Sequence, residues 1–330
     1  MGTVIHPTGF KVPPEFRVAA VSRLLGLSGE TAEARRFIAD APGQGVDLSW
    51  MWAWGVPPEP DAGRSAARID QVALVVPGAG RVGMVFVGAP RRPGDAGEVE
   101  HVAAAINTAC VGLRGADPDA RIALIQALVE SGQDWYRSAL ARAGFVSVGR
   151  LLYLRRSNNA AREAPRDWPA GVSVVPIASL GDRAAQDRAL IDCLDRSYEG
   201  TLDCPELCGV RETPDILASH RACGKHDPSL WWVAVERGRA IGCALFNPYP
   251  DQGSIELVYL GLVPEARGRG LGERLARHGL ASLPRRAFTR VACAVDERNA
   301  PARRLYDRLG FTRFDTRDAY IRRPETASFG

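Results

Sequence analysis

The sequence predicts an α/β (α+β) protein of two tandem domains, each a mixed, mostly antiparallel sheet with flanking helices. Three observations lead there. The chain has 330 residues, too long for one ordinary core and suited to two of roughly 165 each. Short apolar runs alternate with segments of helical period throughout its second half. An ungapped offset of 166 positions sets Val129-Glu130-Ser131-Gly132-Gln133 against Val295-Asp296-Glu297-Arg298-Asn299, and Ala143-Gly144-Phe145 against Leu309-Gly310-Phe311. Both halves then close with paired arginines, Arg155-Arg156 and Arg322-Arg323, so the chain reads as a duplication of one fold.

The polar, proline-bearing stretch 157–170 reads as a linker, giving domains over residues 1–156 and 171–330. In the second half Val172–Ile177 is a strand, Asp182–Tyr198 an amphipathic helix, and Thr213–Ala222 a helix opened by Thr-Pro. Trp231–Glu236 and Ile241–Phe246 flank Arg237-Gly238-Arg239, a hairpin signal. Ile255–Val263 is a long strand and Gly270–Ser282 a helix with Leu271, Leu275 and Leu280 on its apolar face. Phe288–Val295, Ala300–Leu309 and Phe311–Arg322 complete the order as strand, helix and strand.

Composition narrows the function classes. Apolar residues at 46% and charged residues at 24% suit a soluble globular protein. The net charge of +4 is small and dispersed, and only Lys11 and Lys225 are lysines, which argues against a nucleic-acid partner. Seven cysteines, an odd number at irregular spacing, make no disulfide framework and suit a reducing cytoplasm. The N-terminal residues form no secretory leader, and no segment has the ~18 apolar residues of a membrane span.

The segment that carries chemistry is Val263-Pro264-Glu265-Ala266-Arg267-Gly268-Arg269-Gly270-Leu271-Gly272, between a strand and a helix. Its glycines allow close backbone approach, and the unpaired N–H groups of the helix start face an anion with the helix dipole behind them. Arg267 and Arg269 add charge-assisted donors. The Walker pattern fails for want of a lysine, and the dinucleotide fingerprint does not fit the flanking elements.

This pattern, with Arg267, Gly270 and Gly272 in the places of Arg/Gln-x-x-Gly-x-Gly/Ala, resembles the GNAT superfamily of N-acyltransferases. The resemblance covers residues 172–323 and their element order. It implies two GNAT-type acyl-CoA N-acyltransferase folds, acetyl-CoA as acyl donor, and no metal. It also implies that the pantetheine arm pairs with Leu260, Gly261, Leu262 and Val263, and that the Leu262 N–H polarises the thioester. Gly268 and Leu271 complete the phosphate loop. The stretch from Asn299 to Phe311 is similar to the family's second signature, placing Asn299 beside the pantetheine and Tyr306 near the sulfur as general acid. The offset of Glu256 from Arg267 resembles that of a catalytic glutamate, so Glu256, or a water it orders, is the candidate base. The implied reaction is direct attack by a primary amine within a ternary complex. The alternative is a non-catalytic acyl-CoA-binding regulator.

At the same offset Tyr306 falls on Leu140 and Asn299 on Gln133, and the loop after Val82–Val87 lacks the phosphate pattern. The first domain therefore reads as a degenerate, non-catalytic copy, a layout known among two-domain members of the superfamily. Cys204, Cys208, His220, Cys223 and His226 cluster without finger spacing, and read as ordinary residues of a helical region. Glu199, Asp203 and Glu206 lie where such folds place the acceptor loop, either to attract a cationic amine or as a solvated acidic loop. Trp50, Trp52 and Trp54 share a face if extended and are expected to pack against the neighbouring domain. The acceptor is a small-molecule or peptide amine of unspecified kind, and the oligomeric state is undetermined.

Overall fold

The computed structural model of the chain describes residues 6–58, 68–116, 122–159 and 167–324. They form two compact units, Val148–Arg317 as unit 2, and Met1–Ser147 with Asp318–Gly330 as unit 1. The expected boundary at 157–170 is not where the units divide, and its central part, 160–166, lies outside the described residues. Residues 148–156, expected to close the first domain, instead belong to a strand that pairs antiparallel with a strand of unit 2, with Val291↔Arg156 through Asp296↔Leu151 in register. The end of the chain, from Asp318, is bound within unit 1.

Unit 1 runs β1 (Thr8–Lys11), α1 (Arg17–Leu24), α2 (Ala32–Asp40), β2 (Met51–Val56), β3 (Arg68–Gly78), β4 (Val82–Val87), α3 (Ala96–Ala116), β5 (Leu124–Glu130) and α4 (Asp134–Arg142). β1 to β4 are antiparallel neighbours in chain order, and β5 joins β4 in parallel. The tryptophans pack into this unit's own core. Trp50 and Trp52 are buried, with rings edge to face at 6.4 Å, and α3 lies on them. That approach requires Gly112, where an added Cβ would fall 2.1 Å from Trp52 Nε1.

Unit 2 begins within β6 (Val146–Ser157) and continues through β7 (Val172–Pro176), α5 (Arg183–Ser197), α6 (Thr213–Ala222), β8 (Trp231–Glu236), β9 (Arg239–Tyr249), β10 (Ser254–Leu262), α7 (Leu271–Ser282), β11 (Arg290–Asp296) and α8 (Ala300–Arg308), into β12 (Thr312–Arg322). The expected elements of this half are all present to within a few residues. Arg237 and Gly238 both adopt positive φ, 53° and 74°, the geometry of a tight hairpin turn. The sheet order is β12-β6-β11-β10-β9-β8-β7.

Two apolar layers sandwich that sheet. Leu271, Leu275, Ala276 and Gly279 of α7, spaced along one helical stripe, with Tyr306 of α8 and Leu309 just after it, cover Ile255, Leu257, Val291, Cys293 and Val295. Full burial of a leucine such as Leu271 or Leu275 contributes about 1.5–3 kcal/mol. On the opposite face Leu190, Cys193 and Leu194 of α5 and Leu217 of α6 pack on Trp231, Val233 and Cys243. Among the described residues no helix is long and apolar enough to cross a membrane.

The chain end is held in unit 1 by buried and part-buried polar bonds. Arg322 donates to Asn107 Oδ1 at 2.6 Å and to the Ala143 carbonyl at 2.5 Å, and Arg137 pairs with Asp318 at 2.6 Å. Arg322→Ala strands these acceptors, which costs about 1–3 kcal/mol each when buried. Urea unfolding is expected to show the loss in a transition of unit 1.

Candidate active site

The loop between β10 and α7 has the shape the sequence requires. Gly268 and Gly270 both sit at φ +72°, and a Cβ built on either meets nothing within 4 Å, so the loop opens onto free space. Gly270 caps α7 without a side chain, which leaves the first N–H groups of the helix directed outward. The two arginines, by contrast, hold protein partners. Arg267 donates to the carbonyls of Leu262 at 3.1 Å, Gly200 at 3.3 Å and Ser197 at 2.8 Å, tying the loop to the end of α5. Arg269 makes a bidentate pair with Glu236 at 2.7 and 3.1 Å. The donors left free for an anion are therefore those of the main chain.

A second set of free backbone groups lies just upstream. Val263 N–H donates to the Ile241 carbonyl at 3.1 Å, so the neighbouring cross-strand pair Leu262↔Gly242 is of the non-bonded kind. Leu262 and, two residues earlier, Leu260 thus turn their N–H and C=O groups toward the β11 side, while Gly261 and Val263 face β9. Pairing of β10 with β11 spans Ser254↔Arg290 to Glu256↔Ala292, and beyond it the strands part. A bulge at Val258, between Leu257↔Phe246 and Tyr259↔Leu245, accompanies the divergence. The Leu262 carbonyl is taken by Arg267, and its N–H faces the gap.

Around this gap stand the ionisable groups. Glu256, on the face opposite Ile255 and Leu257, is half-buried. Burial raises its pKa, and a hydrogen bond from Tyr249 partly offsets that. Tyr306, from α8, is 6% exposed and stacks edge to face on Phe311 at 5.5 Å. Burial lifts its pKa well above 10, and the neighbouring Cys293 and Asp203 add to the rise. Asn299 caps α8, its Oδ1 accepting from Ala302 N–H at 3.2 Å, which gives that side chain a structural duty at the end of β11.

The sequence reading treats Asp203 only as one of three loop acids, and the structure singles it out. Its Oδ1 accepts from the Asp296 N–H at 2.8 Å, and Asn299 Nδ2 lies 3.5 Å away. It keeps solvent contact, yet surrounding protein raises its pKa; both hold for a carboxylate on the wall of a cleft. Cys204 N–H donates to Asp296 Oδ2 at 3.0 Å, and Glu206 forms a fork with Arg298 at 2.6 and 2.8 Å, so the loop is pinned beside α8. No local pattern distinguishes Asp203 from Glu199 in sequence. The distinction lies in the contacts between residues 203–206 and 296–299, about ninety positions apart. His220, facing Tyr259 at 5.3 Å, is half-buried; desolvation, with Arg211 adding, lowers its pKa to about 4, a neutral ring at physiological pH.

Unit 1 has the same strand divergence and fills it. β4 pairs with β5 only from Val82↔Leu124 to Met84↔Gln126. Gly88 N–H donates to the Val72 carbonyl at 3.3 Å, so by the same alternation Val85 turns its carbonyl toward β5, as Leu260 turns its own in unit 2. Tyr136 Oη donates to that carbonyl at 3.1 Å. At the start of α3, Asp95 Oδ1 accepts from Gly97 N–H at 2.9 Å and Glu98 N–H at 3.3 Å. The protein's own hydroxyl and carboxylate hold the positions that stay free in unit 2.

Comparison with known proteins gives the family. The Acetyltransferase (GNAT) family pattern matches residues 195–311, which run from the end of α5 to the start of β12. A mycothiol acetyltransferase of Mycobacterium leprae is 30% identical over 223 residues, covering 57% of this chain and 69% of that protein. The chain belongs to the GNAT acetyltransferase family. A mycothiol acetyltransferase of Thermomonospora curvata is 42% identical over 178 residues, 54% of this chain and 57% of its own. With the first curated relatives the chain aligns over only about half their length. In three dimensions it resembles a GCN5-related N-acetyltransferase from Sphaerobacter thermophilus, with TM-score 0.55, 17% identity and 96% of each chain covered, a likeness of fold.

The raised pKa of Glu256 has a thermodynamic consequence. A carboxylate whose folded pKa exceeds its unfolded value costs nothing below the unfolded value, near 4.5, and destabilises increasingly as pH rises through the folded one. Glu256→Gln is therefore expected to melt higher than the parent at pH 8, with the difference vanishing near pH 4. An equal melting shift at both pH values would refute the assignment.

Proposed function

We propose that the protein is an acetyl-CoA-dependent N-acetyltransferase that acts on a small-molecule primary amine in unit 2, with unit 1 a non-catalytic copy. The observation that carries this reading is the pairing of two free sets of main-chain donors, at the start of α7 and along the parted end of β10. Their spacing in the chain suits a pyrophosphate and the arm that leads from it. The names of the curated relatives favour a small-molecule acceptor.

On this reading each residue has one task. The N–H groups from Gly268 to Gly272 hold the pyrophosphate, while Gly261 and Val263 keep β10 fixed to β9. Leu260 pairs with the pantetheine, and Asn299 orders the end of α8 beside it. Arg269 exchanges its partner Glu236 for phosphate, and Arg267 positions the loop through Ser197 and Gly200. When bound, acetyl-CoA supplies the acyl thioester.

Glu256, directly or through a water it orders, accepts a proton from the acceptor ammonium, and its raised pKa makes it a better base than a solvated carboxylate. Asp203 holds the ammonium by charge. The amine nitrogen bonds to the acyl carbon as the carbon–sulfur bond breaks, and the Leu262 N–H stabilises the charge developing on the acyl oxygen. Tyr306, which burial keeps protonated, gives its proton to the departing thiolate, and the second proton lost by the attacking nitrogen as the amide forms restores the Tyr306 hydroxyl.

Calorimetry with acetyl-CoA is expected to show one site, lost in Gly270→Glu because the new carboxylate repels the pyrophosphate. Absence of binding in the parent refutes the enzyme reading, and a second site refutes the silent unit 1. In a CoA-release assay, Glu256→Gln and Tyr306→Phe are each expected to lower kcat about 100-fold or more, with acetyl-CoA affinity unchanged. Normal turnover in both variants removes their roles and leaves the cradle.

A further inference from the structure

The sheet face that carries Glu256 extends beyond it. Asn247 of β9 pairs with Glu256, Glu256 with Ala292 of β11, and Ala292 with Arg155 of β6. Directly paired residues share a face, so these four side chains form one row across four strands. At about 4.8 Å per strand the Cα atoms of Glu256 and Arg155 stand roughly 10 Å apart, with only an alanine methyl between them.

Cover decreases along the row. Asn247 is fully buried, its Nδ2 donating at 2.6 Å to the carbonyls of both His220 and Cys223 at the end of α6. Glu256 is half-buried beside it, and Arg155 is exposed. The row thus runs from roofed to open.

Arg155 is placed and not neutralised. Its guanidinium lies 5.2 Å over the ring of Phe314, which is 47% exposed, and Phe314 meets Tyr153 edge to face at 6.3 Å. Tyr153, paired with Ala294, belongs to the same face and is half-buried. Among the described residues no carboxylate makes an ion pair with Arg155, whereas Arg317, which also faces Tyr153, is paired with Asp315 at 3.0 Å. A guanidinium stacked on an aromatic ring keeps its fork of donors for a planar anion.

We infer that Arg155 is a specificity residue that binds an anionic group, a carboxylate or phosphate, on an acceptor whose amine lies at Glu256 and whose spacer crosses Ala292 beside Tyr153. The inference rests on the proposed placing of the acceptor amine at Glu256. It narrows the acceptor to a zwitterionic class, an amine joined to an acid by a spacer of several ångströms. The acidic loop around Asp203 attracts the amine end and Arg155 the other, so one orientation is favoured over its reverse.

The test uses a rigid pair of probes, 4-(aminomethyl)benzoate and its uncharged counterpart 4-(aminomethyl)benzamide, titrated calorimetrically into the full chain with and without CoA. The parent is expected to bind the benzoate roughly 10- to 100-fold more tightly, the range of a charge-assisted fork. Arg155→Met is expected to abolish the preference without changing benzamide binding or melting temperature, and Arg155→Lys to restore part of it. The matching phosphonate distinguishes the anion: tighter binding than the benzoate assigns a phosphate-bearing acceptor, and weaker binding a carboxylate. Equal binding of benzoate and benzamide by the parent, a preference that survives in Arg155→Met, or no saturable binding of the benzoate overturns the inference. CoA release from acetyl-CoA, measured on the same samples, separates the two readings. An Arg155-dependent preference without acetyl transfer sinks the catalytic proposal alone.

Discussion

The parting of two parallel strands after three paired residues is the constraint on which unit 2 depends. β10 stays bonded to β9 through Val263, so its far side, at Leu260 and Leu262, has main-chain donors and acceptors with no strand to satisfy them. Buried backbone groups are ordinarily paired, and a sheet that opens here needs a reason to stay open. The bulge at Val258, the tether of Arg267 to three carbonyls, and the small floor of Ala292 and Ala294 hold that opening. The helix start at Gly270 continues the same line of free donors.

Unit 1 shows what happens when the same opening is closed from within. Its Tyr136 hydroxyl bonds the carbonyl that corresponds to Leu260, and Asp95 bonds the helix start that corresponds to Gly270. Each satisfied group lowers the cost of an empty gap, since a buried unsatisfied carbonyl or amide costs about 1–3 kcal/mol. The proposed division of labour between the units thus has a local physical basis: unit 1 satisfies these groups with its own side chains and unit 2 leaves them open.

The elements of unit 2 were legible because each has a local signal. Asp182 caps α5 through Ala185 N–H, Thr-Pro opens α6, and the alternating β10 pattern reads through its bulge. The unit boundary was not legible, because residues 148–157 obey the same period-2 pattern whichever strand they join; only their register with β11 assigns them. The tryptophans misled for a related reason. An apolar face shows that a strand packs, and Gly112, sixty residues after Trp52, decides against what. At the site, the glycine loop and Glu256 were visible as motif and offset. Asp203 and Arg155 were not, since their significance comes from contacts and registers of long sequence separation. The two motif arginines were visible in the glycine loop, and their pairing with Glu236 and with main-chain carbonyls appears only in three dimensions.

The thiols near the site bear on how the acyl group moves. Cys204 is pushed up to about 12, chiefly by burial, with Asp203 and Asp296 adding to the rise. Burial likewise raises Cys223, and it raises Cys293, which also feels Glu256 and Asp203. The nucleophile in acyl exchange is the thiolate, and a thiol near 12 is ionised in about one molecule in 10⁵ at neutral pH. Burial does most to keep these cysteines neutral, and the carboxylates that suit the site to an ammonium add to it. An arrangement that gathers negative charge to receive a cationic amine therefore disfavours an acyl-cysteine, and on the proposed reading it commits the reaction to direct attack by the acceptor.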